Sequence, residues 1–429
     1  MIGIGISIPM MMPFAEDATA FVRSGVLRSP LAITRAQTGG VQSTAINGGN
    51  NGLTFYGADV PRFTGPVQRL LIEGQGTNTI QNPRCEGAVA GSPGTMPTRW
   101  DVQGNGQGLS WNVVGSGTEN GIPFVDIRLS GTSSGTNNAG VTPELFAAAA
   151  AVGQTWTASF YIRRIAGSFS GLNLTALFLR EFTSGGVFLG QTFVSVASDA
   201  ASLLESRRTH TATLANATTG IADISFQCIP NAGATVDVTF RLAAPQFKQL
   251  PFADTPSFPP AGTPGASTRG ADLVSASLAS LGIAASGACT VLWSGVVPNF
   301  ITGATHTIAC LDDGSVNNRF TMRIDQASGQ LQAQRSLAGA SATANAGAVT
   351  AGAAIKGGMA LNGSGRAAVS LNGGAVAAVT GGPSSGLTQF RLGNLFGGSA
   401  PMWGETTSLR ILPNSVSDAD LQTLTGAMP

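Results

Sequence analysis

At the head of the chain Ile2, Ile4, Ile6 and Ile8 alternate with Gly3, Gly5 and Ser7. That is the period-two pattern of a strand with one apolar face. A lone strand cannot bury such a face, so the pattern predicts either an edge strand of its own domain or an anchor on another chain. The four isoleucines are the candidate attachment residues. The same period returns further on. Val125, Ile127 and Leu129 oppose Phe124, Asp126 and Arg128. Trp156, Ala158, Phe160 and Ile162 oppose Thr157, Ser159, Tyr161 and Arg163. Val236, Val238, Phe240 and Leu242 oppose Asp237, Thr239 and Arg241. Strands of this kind, separated by turn signals, predict a β-sandwich. One short helix is expected at Pro143–Ala151, with Thr142 as N-cap.

From Arg269 onward CTVLWSGVV, HTIACL, RFTMRID, QLQAQRS, AAVSLNGG and QFRLGN read as strands, with Asn362-Gly363 and Asn372-Gly373 as hairpin turns. SVSDADLQTLTG reads as a capped terminal helix. Residues 21–82 are turn-rich with short apolar pieces such as Leu70-Leu71-Ile72. Five prolines punctuate Pro251–Thr268. The expected organisation is therefore an attachment segment at 1–82, a first sandwich at 83–250, a Pro-rich linker at 251–268 and a second sandwich at 269–429. The fold class is all-β.

Composition narrows the function classes. Charged residues are 10% of the chain, 43% is hydrophobic and net charge is +1. A disordered chain would reverse those proportions. The balance gives no nucleic-acid footprint and no polybasic membrane patch. No apolar run is long enough to insert in a membrane, and the first residues lack the basic start and apolar core of a signal peptide. The expectation is synthesis in the cytoplasm without an export signal. Cys85, Cys228, Cys289 and Cys310 lack metal or redox spacing. They read as buried thiols, with Cys289–Cys310 the one pair placed to face across a hairpin.

Three blocks carry a resemblance. Thr34–Ala36, Pro61–Phe63, Leu70–Glu73 and Thr77–Asn78 occur in an order similar to the leading segment of bacteriophage fibre, spike and structural proteins, and of gene transfer agents. NPRCEGAVAGSPGTMPTRWDV resembles the first strand and loop of carbohydrate-binding-module jelly rolls. TRGADLVS through RILPNSVSDADLQTLT resembles a concanavalin-like or laminin-G sandwich. The resemblance implies a virion surface protein with sugar-binding folds: a head spike, fibre or tail adhesin. It would be anchored by its N-terminus to other virion structural proteins and touch host surface polysaccharide, as a homo-oligomer with a trimer favoured. It also implies a structural calcium near the first strand, for which Glu86 is the matching acid. Otherwise no cofactor is expected.

Candidate chemistry follows. A pyranose packs its apolar face on an aromatic ring and is held at its edges by planar polar groups. If the apolar faces point inward, the outer sheet of the first sandwich presents Asp126, Arg128, Tyr161, Arg163 and Arg241, which suit an acidic glycan. The same set equally describes a ladder of cross-strand ion pairs. Trp111 is a candidate platform, Trp100 and Trp156 read as core, and Trp403 and Asn394 are weaker candidates. Catalysis has little support. His210 and His306 stand without a nucleophile motif, and Asp312-Asp313 would point to opposite faces of a strand, unlike the facing carboxylates of a glycosidase. A glycan-binding adhesin leads. A purely structural virion decoration or connector protein and a capsule depolymerase are the alternatives.

Overall fold

A computed structural model describes residues 19–37, 40–47, 52–103, 107–196, 199–301, 304–382 and 386–429. The strand expected through Ile2, Ile4, Ile6 and Ile8 lies outside them. The molecule is all-β. Antiparallel sheets stack into two sandwiches, and the one α-helix among the described residues is Asp418–Gly426.

The first sandwich has a front sheet ordered Leu109–Glu119, Ile122–Thr132, Thr235–Lys248, Thr155–Gly167, Arg207–Thr213. Its back sheet runs Phe188–Ser195, Leu172–Phe182, Ile221–Pro230, Ala139–Thr142, Asp101–Gln103. The alternation read from sequence sets what lies between them. Val125, Ile127, Leu129, Phe160, Phe240 and Leu242 of the front sheet meet Leu177, Leu179, Ile224 and Phe226 of the back sheet in one core. Phe226 and Phe240 meet edge to face at 4.9 Å. Burying each such side chain contributes about 1.5–3 kcal/mol.

The second sandwich is not built from a contiguous stretch. Its nine-stranded sheet takes Cys289–Val296, Ala354–Leu361 and Gly404–Leu412 from the C-terminal half. Ala20–Arg23 and Arg69–Ile72 add to Gly404–Leu412. Ala32–Thr34 closes the edge of the facing seven-stranded sheet beside Leu273–Ser277. Val22, Ile33, Leu70 and Ile72 thereby enter the same core as Trp293 and Phe320. This part of the 1–82 segment is thus not a separate small unit: short pieces of this kind cannot make a core alone, and they pair with strands that come about 240 to 390 residues later. The first sandwich is inserted between two parts of the second.

The Pro-rich stretch is likewise no free spacer. Ser257–Phe258 pairs with Gln42–Asn47, and Phe258 is fully buried. The helix expected at Pro143–Ala151 does not form. The chain bends there, and Ala148–Ala149 pairs with Ile221–Pro230. Phe146 sits at φ +56°, which ends any helical run. The terminal helix does form. The Ser417 hydroxyl accepts the Asp420 N–H at 3.2 Å, and Leu421 packs on Leu292, Ala360 and Ala368. Asn372 and Gly373 have φ of +53° and +77°, matching the expected hairpin turn. All four cysteines are free and buried, and Cys289 and Cys310 lie in opposite sheets. Among the described residues no helix is long and apolar enough to cross a membrane.

Candidate functional site

The outer face of the front sheet carries the residues expected there, engaged with one another. Arg241 grips Asp126 through two bonds of 2.8 Å and reaches Glu119 at 2.5 Å. Glu119 also accepts from Arg163 at 3.0 Å and from the Leu203 N–H at 2.7 Å. Burial alone would raise the Glu119 carboxyl. Hydrogen bonds from Arg241 and Leu203, with the charges of Arg163 and Arg241, outweigh it and hold the group below the usual range. Arg128 and Asp237 form an exposed pair at 2.7 Å. Of the two readings of this face, the ion-pair ladder is the one observed.

Three of the expected contact residues are buried: Asp126, at 8% exposed, within its ion pair, and Tyr161 and Trp111. Tyr161 is 1% exposed, beneath Leu203, Ala244 and Phe258, because the hairpin of Gln42–Asn47 and Gly52–Tyr56 and its neighbours cover that half of the sheet. Trp111 is core, 6.5 Å from Phe226. Trp100 is core as expected, its indole N–H bonded to the Asn82 carbonyl at 3.1 Å. Both carboxylate oxygens of Glu86 accept the Gly262 N–H, at 2.9 and 3.0 Å. Among the described residues no three His, Cys, Asp or Glu gather as a metal site. His306 is buried between the Met402 carbonyl and the Ile301 N–H. Asp312 pairs with Arg391, while Asp313 holds Ser315 and Asn318 in a turn.

The open, chemically varied surface is the outer face of the back sheet, which sequence reasoning passed over. In Leu172–Phe182, Leu177 and Leu179 point inward, so Phe178, Arg180 and Phe182 point out. Their cross-strand partners in Phe188–Ser195 are Phe193, Gln191 and Phe188. A bulge beside Phe182 brings Phe188 and Gln191 onto one side despite their odd spacing. The result is a shallow groove of about 240 Å³, lined by Gln103, Asn138, Arg180, Phe188, Gln191 and Gln227, with Gly140 in its floor.

Asp223 is the hub beneath it. Its carboxylate takes two bonds from Arg180, at 2.7 and 2.9 Å, and the Phe146 N–H at 3.0 Å. Arg180 also donates to Gln103 and to Thr142. Burial pushes the Asp223 carboxyl above its ordinary value, against the opposing charge of Arg180. The paired charges fix the floor without adding net charge to it. Asn138 donates to Gln227, and the Gln191 amide has no partner among the described residues.

Phe188 lines the groove, and further aromatic rings cluster outside it. Phe146 and Phe188 each meet Phe182 edge to face, at 5.1 and 5.7 Å, and Phe193 covers Phe178 at 5.0 Å. Phe146, Phe188 and Phe193 are 42%, 53% and 48% exposed. Phe146 is an aromatic residue held in the left-handed region, a conformation that costs about 1–3 kcal/mol and collects at functional sites. Rings beside planar amides over a neutral, rigid floor can stack on the apolar face of a sugar and hydrogen-bond its hydroxyls. The stripe Phe178–Arg180–Phe182 occupies one phase of TALFLREF, but that phase is no more polar than the one carrying Thr175 and Glu181, so polarity did not mark it as outward. The bulge that completes it left no sign either.

A third feature lies between the sandwiches. Four cationic side chains, Arg35, Arg62, Lys248 and Arg269, meet three carboxylates, Glu73, Asp254 and Asp272, all nearly or fully buried. Arg35 and Arg62 share Asp272. Arg269 bridges Glu73 and Asp254, and Lys248 caps Asp254 at 2.7 Å. Glu73 also accepts from the Thr255 hydroxyl. Arg35, Arg62, Glu73 and Asp272 belong to the motifs TRA, PRF, LLIE and TRGAD. Those scattered motifs meet in one ionic clamp joining the leading strands, the Pro-rich stretch and both sandwiches.

No protein-family model matches this sequence, and no curated protein matches it. Two solved structures show distant likeness. Mouse laminin alpha1 chain domains LG4-5 share 10% identity, with 62% of this chain and 86% of that one covered and a TM-score of 0.23. The N-terminal CBM22-1-CBM22-2 tandem domain from Paenibacillus barcinonensis Xyn10C shares 9% identity, covering 76% and 99%, with a TM-score of 0.24. At those scores neither likeness carries an argument, and the architecture rests on the strand pairing of this chain.

Proposed function

We propose that the protein is a non-catalytic glycan-binding protein of a virion-type particle. Its first sandwich contacts polysaccharide through the back-sheet groove. The observation that carries the reading is the groove itself: exposed Phe188 beside the amides of Gln103, Gln191 and Gln227, over a floor locked by Arg180 and Asp223, with exposed Phe146 and Phe193 packed on neighbouring rings outside it. The floor is charge-balanced, so the favoured ligand is a neutral glycan. This replaces the acidic glycan suited to the front sheet, whose guanidinium groups are taken up by Asp126, Glu119 and Asp237.

The particle assignment is supported by the ordered motifs of the leading segment. In it, Ile2, Ile4, Ile6 and Ile8 anchor the protein to other virion proteins, and a homo-oligomer, with a trimer favoured, multiplies weak contacts through effective concentration. Titration of the intact protein against a panel of surface polysaccharides tests the binding role. Saturable binding that Gln191→Ala and Phe188→Ala weaken tenfold or more is the expected result. Absence of binding to every neutral glycan in the panel ends the reading. Deleting Met1–Pro13 tests the anchor, with loss from purified particles expected.

A further inference from the structure

The stretch Gln75-Gly76-Thr77-Asn78-Thr79 is used neither by the groove nor by the charge pairs of the clamp. It runs along a cleft of about 400 Å³ at the edge of the first sandwich, whose other walls are Trp156, Gln249 and Leu250. That volume falls within the usual span of small-ligand sites, about 300–1,000 Å³.

The cleft is preformed. Asn78 is fully buried; its side chain accepts the Phe247 N–H at 3.0 Å and donates to the Pro245 carbonyl at 3.2 Å, pinning the floor to the first sandwich. Thr77 meets Thr268 at 2.8 Å, the Thr79 hydroxyl donates to the Phe247 carbonyl at 3.1 Å, and Trp156 stacks on Phe247 at 4.6 Å. Gly76 leaves the floor thin. A Cβ there would stand 3.0 Å from Asp254 Oδ2 and 3.7 Å from Lys248 Nζ, so any side chain would press on the clamp.

The lining chemistry is selective. It consists of hydroxyls, two amides, an indole edge and one leucine, with no ionised side chain. Gln75 and Gln249 stand exposed on the cleft, and neither amide has a partner among the described residues. An anionic ligand would shed water here without meeting a counter-charge, and the carboxylate of Asp254 is the charged atom nearest the floor. A ring bearing many hydroxyls can use each amide as both donor and acceptor.

We propose that this cleft is a second binding site, separate from the back-sheet groove, for an uncharged mono- or disaccharide unit. Gln75 and Gln249 grip its hydroxyls, and the Trp156 edge contacts its apolar side. Affinity is weak, about millimolar, because the indole is mostly covered.

The test follows the Trp156 indole N–H by NMR in the full chain, assigned by Trp156→Phe, during titration with glucose, galactose, mannose, their disaccharides and glucuronate. The expected result is a saturable shift with at least one neutral sugar and a weaker response to glucuronate. Gln249→Ala and Gln75→Ala, both surface changes, should weaken binding fivefold or more. Gln191→Ala in the groove should leave it unchanged. No shift with any neutral sugar overturns the proposal, as does a shift indifferent to both cleft variants or stronger with glucuronate. Failure of the groove reading shows instead as polysaccharide binding insensitive to Gln191→Ala and Phe188→Ala, so the two outcomes are distinguishable.

Discussion

Asp223 balances the buried guanidinium of Arg180 and holds the amide of Phe146 in a left-handed turn outside the groove. Removing its charge leaves Arg180 buried with its main partner gone, a loss of about 3–5 kcal/mol. Asp223→Asn should therefore lower the urea midpoint markedly and weaken glycan binding. Gln191→Ala touches only an exposed amide and should weaken binding with the midpoint unchanged. Equal destabilisation by both variants would show that the groove residues serve the fold alone. The residue scale also shows where sequence reasoning stopped. Alternation put Tyr161 on the polar phase of its strand correctly, yet phase does not say what lies on top. Leu203 and Phe258, supplied from 40 to 100 residues away, turned a surface tyrosine into a buried one.

At the scale of elements, the strands were legible because their period is two and their turns are marked by glycine and asparagine. Val125, Ile127, Leu129, Phe240 and Leu242 all point into the core as read. Pairing partners were not legible. Arg69–Ile72 gives no local sign that it adds to Gly404–Leu412, because four apolar residues fit many sheet edges equally well. The back-sheet groove was missed for a related reason: its Phe188–Gln191 arrangement depends on a bulge that no residue announces. One prediction belongs here. Leu70 is fully buried in the core of the second sandwich. Leu70→Ala should cost about 2–5 kcal/mol, read as a lowered melting temperature in calorimetry. Unchanged melting would mean that this strand is not part of that core.

At the scale of the whole molecule, the ionic clamp makes one body of the two sandwiches. Burial opposes ionisation of Glu73 and Asp272, but the charges of Arg269 and Arg62 on both, and of Arg35 on Asp272, prevail and hold the carboxyls below their ordinary 4.5 and 3.8. Groups lowered in the fold contribute stability above those ordinary values and lose it as pH falls. Denaturant midpoints should thus drop as pH falls below about 4.5, and Asp272→Asn should flatten that dependence. Lys248 gives a slope of the same sign in a higher pH window, because there the fold disfavours the charged form. Burial, with Arg269, brings it from 10.5 down to about 8. The unfolded chain holds this proton more tightly, so stability should rise as pH climbs from about 8. Above pH 9 the rise is countered by the four cysteines, whose burial pushes their thiols up and lets the unfolded chain ionise first. Lys248→Met should remove the rise between pH 8 and 9, as measured by chemical denaturation.

The proposed role of the back-sheet groove in meeting glycan is tested most directly by calorimetric titration of one neutral polysaccharide into the native protein, Phe188→Ala with Gln191→Ala, and Arg128→Ala. Binding lost in the groove double variant and retained in Arg128→Ala is the predicted result. Binding retained in the double variant and lost in Arg128→Ala would move the site to the front sheet and contradict the account.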